Sequence, residues 1–187
     1  RDEELIPASR LPVLGPHNTR DALFAAVTAR LAGADPADLR RGLATFRPLP
    51  HRLEAVAERD GVTWVDDSKA TNVAATVSAI TSLDRPLVIL LGGVDKGEDF
   101  APLASALRDR ARTAVLYGAV RARLASELAG STELVTVDGG FEDVVRVARG
   151  LAHPGDVVLL SPATASFDMF DNYEARGRRF SELALEE

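Results

Sequence analysis

Apolar positions along the chain change period several times, and those changes mark out its elements. From Asn18, the residues Leu23, Phe24, Val27 and Leu31 recur at helical spacing up to Gly33. Asp35-Pro36 then supplies a cap and first-turn pair for a second helix to about Thr45, so a helical hairpin is expected. Phe46 to Pro50 has two prolines and no period, which reads as a linker with a domain boundary near residue 48. Leu53 to Ala57 and Val62 to Val65 are extended runs separated by a turn containing Asp60-Gly61, the signature of a β-hairpin. Strand-like and helix-like segments then alternate: a helix over 72–82, a strand over 87–91, a helix with Phe100, Leu103, Ala104 and Leu107 on one face, and a strand over 114–117. A helix with Val120, Leu124 and Leu128, a strand over 134–137, a helix with Phe141, Val144, Val145 and Ala148, a strand over 157–160 and a closing helix with Tyr173, Gly177, Phe180 and Leu183 complete the series. Such alternation predicts an α/β fold: a Rossmann-like, mostly parallel sheet with helices on both faces, opened by an antiparallel hairpin. The patch Leu11 to Leu14 is expected to be the last strand of something upstream, and residue 1 is Arg, so the chain reads as part of a longer polypeptide.

In such a sheet ligands bind beyond the carboxyl ends of the strands. The turns expected there are Asp66 to Asn72, Gly92 to Gly97, Gly118-Ala119, Asp138-Gly139-Gly140 and Ser161 to Ser166. Small residues at these places let a ligand approach the backbone, and helix N-termini favour anions. Gly118 and Gly139 read as ordinary turn residues.

Composition sharpens this picture at one point. Of the 22 basic residues only Lys69 and Lys96 are lysines, and both lie in these turns. A compact ammonium on a flexible stem suits a carboxylate or phosphate. The net charge of −6 argues against nucleic-acid binding, the absence of cysteine excludes disulfides and thiolate metal sites, and His17, His51 and His153 are too scattered to suggest a metal centre. No apolar run approaches the roughly 20 residues of a membrane helix, so a cytoplasmic protein is expected. Neither a dinucleotide GxGxxG after a strand, nor a GxxxxGK[ST] loop, nor a GxSxG elbow is present. Elementary chemistry leads to an α/β domain with a small-anion site carrying two lysines, hydroxyls and an acidic pair.

Four spaced motifs extend the reading. His51-Arg52-Leu53-Glu54, Asp67-Ser68-Lys69-Ala70-Thr71-Asn72, Leu91-Gly92-Gly93 with Asp95-Lys96-Gly97, and Leu160 to Ala163 running through Ser166-Phe167-Asp168-Met169-Phe170 to Asn172-Tyr173-Glu174-Ala175-Arg176-Gly177 resemble the ATP-dependent Mur ligases, most closely the D-glutamate-adding branch. The resemblance implies that residues 1–47 are the end of a central ATPase domain and 48–187 the C-terminal, amino-acid-binding domain. It implies that ATP, with Mg²⁺, phosphorylates the carboxylate of UDP-N-acetylmuramoyl-L-alanine, and that D-glutamate then attacks the acyl phosphate. By the same match Lys69 and Lys96 are the catalytic candidates. Lys69, Thr71, Lys96, Ser166, Phe167 and Tyr173 would hold D-glutamate, and Asn18, Arg52 and Asp67 would contact the nucleotide. Most Mg²⁺ ligands would lie outside this chain, which offers no metal ligand of its own. A monomer acting on small molecules is expected. The family's His-Asn-x-x-Asn pattern has Asp21 at its second amide position here. Two alternatives stand beside this reading: a related ligase adding L-alanine, a diamino acid or glutamate to folate, and a non-catalytic dicarboxylate-binding module. In the residues themselves, Asp66 reads as a turn residue and Phe170 as packing.

Overall fold

The computed structural model describes residues 5–13 and 15–186, which divide into two compact units between Pro50 and His51. In the first unit, a 3-10 turn over Ala8–Arg10 precedes helices α1 (Pro16–Leu31) and α2 (Pro36–Thr45). The Asp35 carboxylate accepts from Ala37 N at 2.8 Å, the cap that the Asp-Pro pair predicts. Ala26 and Leu39 are buried, whereas Leu23, Phe24, Val27 and Leu31 are exposed at 62%, 71%, 49% and 85%. The expected strand at Leu11 to Leu14 does not form: residues 11–13 are bends following the 3-10 turn, with Pro12 lacking an N–H for a ladder, and residue 14 lies outside the described residues.

The second unit is a six-stranded sheet in the order β1-β2-β6-β3-β4-β5, comprising β1 (Glu54–Arg59), β2 (Val62–Asp66), β3 (Leu87–Gly92), β4 (Ala111–Tyr117), β5 (Glu133–Thr136) and β6 (Val157–Leu160). Among these strands of the described residues only the β1–β2 pair is antiparallel. Its turn has Asp60 at φ 51° and Gly61 at φ 76°, the doubly left-handed geometry for which Asp-Gly is suited. Helices α3 (Val73–Ser82), α4 (Ala101–Arg110), α5 (Arg121–Glu127), α6 (Phe141–Leu151) and α7 (Tyr173–Leu185) cover the sheet. Alternate strand residues serve alternate faces, as the period of two requires. Val65, Leu87, Ile89, Leu91, Leu116 and Leu159 pack with α3, α4 and α5. On the other face Trp64, Val88, Leu90, Val115, Val158 and Leu160 pack with α6 and α7. Strands buried on both sides read as continuous apolar runs, which is why β3 and β6 are plain in the sequence.

Strand β4 starts at Ala111, three residues before the expected position. Arg112 is tolerated in the strand because Asp156 receives it in a bidentate pair, Nε to Oδ2 at 3.0 Å and Nη2 to Oδ1 at 3.1 Å. Strand β1 is shifted to Glu54–Arg59 and bulges between Ala55 and Ala57, leaving Leu53 outside it at φ 47°. Among the described residues no helix is long and apolar enough to cross a membrane.

Candidate functional site

Because β2, β6, β3, β4 and β5 are mutually parallel, their carboxyl ends lie along one sheet edge. The β2 turn begins inside the protein. Asp66 is fully buried, and its Oδ1 accepts from Ser68 N at 2.9 Å while Oδ2 lies 2.6 Å from His51 Nδ1. Burial pushes its carboxyl up from the ordinary range, against the pull of the His51 and Ser68 hydrogen bonds. Asp67, also buried, accepts from Leu53 N at 3.2 Å and from Ser161 Oγ at 2.7 Å. Burial lifts it to about 7, helped by the Asp66 charge and opposed by those hydrogen bonds and by Arg52. Asp66 is therefore a buried anchor and not merely a turn residue. Gly177 makes the arrangement possible, since a Cβ there would overlap both His51 Nδ1 and Asp66 Oδ2.

Lys69 follows directly. Its N–H donates to His51 O at 3.1 Å, and its Nζ lies 3.9 Å from the centre of the Tyr173 ring, a cation–π contact. Tyr173 also meets the His51 ring edge-on at 6.2 Å. The structure thus gathers Lys69, Tyr173 and His51 at the start of α7. Thr71 is half-buried, and its N–H donates to Lys69 O at 2.8 Å.

The β3 turn carries Lys96. Its ammonium is exposed, while the loop beneath it is fixed: Asp95 accepts from Gly97 N at 2.7 Å and pairs with Arg123 at 2.5 Å, and Arg123 also donates to Glu98 O at 2.6 Å. The β6 turn crosses this loop through Val94 N to Ala165 O at 2.8 Å. Ser166 on that turn is buried, whereas Phe167 is 73% exposed. Phe167, Met169, Phe170, Asp171 and Ala175 line an open depression of about 530 Å³. Phe170 meets Phe141 edge-on at 5.0 Å, the packing role expected of it. Asp168 accepts from Ala119 N at 2.9 Å, so its carboxylate ties the segment to the β4 turn. Arg52 is exposed beside His51, and Asn18 lies in the first turn of α1, in the first unit.

The N-termini of α3 and α7 at this edge do not offer a free anion cradle. Asn72 caps α3 by accepting from Ala75 N at 2.8 Å, Glu98 accepts from Val73 N at 3.3 Å, and Asn172 caps α7 by accepting from Ala175 N at 2.7 Å. Local side chains reach these donors first, so an anion at these turns would look to side-chain cations such as Lys69 and Lys96. One residue of the four motifs was given no role from the sequence. Arg176 is fully buried and donates to Ser68, Gly92 and Thr164. A signal existed, because Arg176 falls on the apolar stripe of α7 beside Tyr173, Gly177 and Phe180. His51 and Asp66, fifteen positions apart, gave no comparable cue.

Comparison with known proteins identifies the family. Residues 51–164 match the family described as Mur ligase, glutamate ligase domain. A UDP-N-acetylmuramoylalanine--D-glutamate ligase of Nitrosococcus oceani is 46% identical over 98% of this chain and 41% of its own length, and that of Salinibacter ruber is 43% identical over 97% and 40%. The chain thus spans about two fifths of these relatives. Among solved structures, a UDP-N-acetylmuramate-alanine ligase of Thermotoga maritima superposes with a TM-score of 0.67 at 19% identity, covering 92% of this chain and 38% of that one. A Mycobacterium tuberculosis folylpolyglutamate synthase gives 0.67 at 21%, covering 91% and 41%. At such identities these two speak for the fold alone. The chain belongs to the Mur ligase family, through a second unit that carries its glutamate ligase domain.

Proposed function

We propose that this chain is the C-terminal part of an ATP-dependent ligase that adds D-glutamate to UDP-N-acetylmuramoyl-L-alanine in the cytoplasm, acting as a monomer on small molecules in peptidoglycan precursor synthesis. In this reading residues 1–47 end the ATPase domain, 48–187 form the amino-acid-binding domain, and residues 46–50 are the hinge on which it closes. The carrying observation is that the chain's two lysines stand on the β2 and β3 turns, on either side of the β6 turn at the ligand-binding edge, where Asn72 and Glu98 already occupy N–H groups of α3. A dicarboxylic amino acid brings two negative charges to those ammonium groups, and charge-assisted hydrogen bonds are the strong ones.

Lys69 and Lys96 would pair with the carboxylates, Thr71 and Ser166 would donate hydroxyls, and Tyr173 and Phe167 would wall the pocket. Arg52 would reach the phosphates and Asn18 the adenine. Asp67 would take ribose hydroxyls on the lone pairs that Leu53 N and Ser161 leave free. A carboxylate oxygen of the nucleotide-sugar substrate attacks the γ-phosphorus of ATP and ADP leaves. The D-glutamate nitrogen then attacks the acyl carbon, phosphate departs and the amine loses a proton. Mg²⁺ is a poor fit to this chain: the described residues offer one three-ligand cluster, His51, Glu54 and Asp66, in which His51 Nδ1 is already bonded to Asp66. Magnesium prefers oxygen ligands in near-octahedral array, so no step is routed through an ion here.

The test uses the full-length polypeptide: phosphate release from ATP with UDP-N-acetylmuramoyl-L-alanine, comparing D-glutamate, L-glutamate, L-alanine and a diamino acid. Release is expected with D-glutamate, and Lys96→Ala is expected to lower kcat/KM by about 10²-fold or more, the loss of a charge-assisted contact. Stimulation by another amino acid, or none, overturns the D-glutamate reading. The 187-residue chain alone is expected to form no amide.

A further inference from the structure

We infer that Arg176 is the positioning residue of the amino-acid pocket, a single buried guanidinium that holds in register the three turns bearing Lys69, Lys96 and Ser166; the inference rests on the reading just given. Nε donates to Ser68 Oγ at 2.9 Å and Nη2 to Ser68 O at 3.0 Å, next to Lys69. Nη1 and Nη2 donate to Thr164 O at 3.4 Å, on the turn that carries Ser166. Nη1 reaches Gly92 O at 3.5 Å, where the Lys96 turn leaves β3. Ser68 Oγ in turn donates to Tyr173 O at 2.9 Å, closing the circuit on the first turn of α7.

The electrostatics explain why a neutral residue would not serve. Arg176 is fully buried, and among the described residues no carboxylate lies within 4.0 Å of it, so its charge faces backbone carbonyls, the Ser68 hydroxyl and the buried Tyr117 phenol. An apolar side chain of like volume would avoid that desolvation cost. It could not donate to three turns at once, and a lysine ammonium cannot span them as a planar fork does. The turns have other ties, Gly92 N to Pro162 O at 3.1 Å and Ala163 N to Ala70 O at 3.0 Å, so the sheet edge survives without Arg176 while the lysine-bearing turns lose their common reference point.

The experiment measures KM for D-glutamate and for ATP separately in the full-length polypeptide, for wild type, Arg176→Lys and Ser68→Ala, with thermal melting alongside. Arg176→Lys is expected to raise the D-glutamate KM about tenfold or more and leave the ATP KM within about twofold. Ser68→Ala, which removes the hydroxyl that accepts from Arg176 and donates to Tyr173 O but keeps the Ser68 carbonyl, is expected to raise the D-glutamate KM about threefold. A merely structural residue would lower the melting temperature and move both KM values in proportion, and that result overturns the inference. An unchanged D-glutamate KM overturns it too, and Ser68→Ala decides the matter if Arg176→Lys does not fold. If wild type uses a different amino acid, the D-glutamate reading fails, and the same comparison with that amino acid still tests Arg176.

Discussion

Asp66 and Asp67 end β2 side by side inside the protein, and each holds a different residue of the segment that enters the domain, His51 in one case and Leu53 in the other. Both of those residues sit at positive φ, 63° and 47°, an uncommon conformation that the carboxylates help to hold. Asp67 has its carboxyl raised from 3.8 to about 7 in the fold, so the folded state binds this proton more tightly than the unfolded chain does. Its contribution to stability is therefore full below pH 3.8 and is lost as pH rises through 7; Asp66, raised for the same reason, acts in the same direction. Chemical denaturation is expected to show stability falling by about 2 kcal/mol between pH 5 and pH 8, and Asp67→Asn is expected to flatten that slope. A slope unchanged in the variant would assign the effect elsewhere. At this scale the sequence was legible where a residue type was rare, as with the two lysines. It was opaque where partners lie far apart along the chain, as with His51 and Asp66 or Asp67 and Ser161.

Helix α7 shows how an element can carry two messages in one pattern. Phe180, Leu183 and Ala184 bury its stripe against the sheet, and Phe180 packs on Trp64 with ring centroids 5.7 Å apart. Arg176 shares that stripe one turn earlier and carries the polar ties of the site. The apolar period revealed the helix, whereas the acceptors of the cation within it lie on turns far apart in the chain. Strand β4 gave the opposite difficulty. Arg112 and Thr113 hid its first turn of the ladder because their partners, Asp156 and Glu133, come from other strands or turns. Trp64, 2% exposed, is the largest side chain in this layer, and Trp64→Ala is expected to cost about 3–5 kcal/mol, measured by denaturant melting. A loss under about 1 kcal/mol would mean that α7 collapses onto the gap.

Across the whole chain, the two units differ in how they keep apolar groups from water. The second closes a double-faced core, whereas α1 leaves Leu23, Val27 and Leu31 exposed as one stripe. Because that stripe belongs to the first unit, replacing Leu23 and Leu31 by Glu is expected to leave the melting temperature of the second unit unchanged, measured by calorimetry. The parallel architecture was legible because most strands and helices of the second unit announced their period, though the limits of β1 and β4 were displaced. The strand order was not, since nothing local tells β6 to insert between β2 and β3.

That insertion governs the order of assembly. The strand joining the two halves of the sheet is the last to emerge during synthesis, so until Leu160 is made the β1–β2 hairpin and the β3-β4-β5 sheet each present an open apolar edge with no partner. A nascent or truncated chain that lacks β6 is therefore a pair of exposed templates for other strands, a hazard that ends only when β6 closes the sheet.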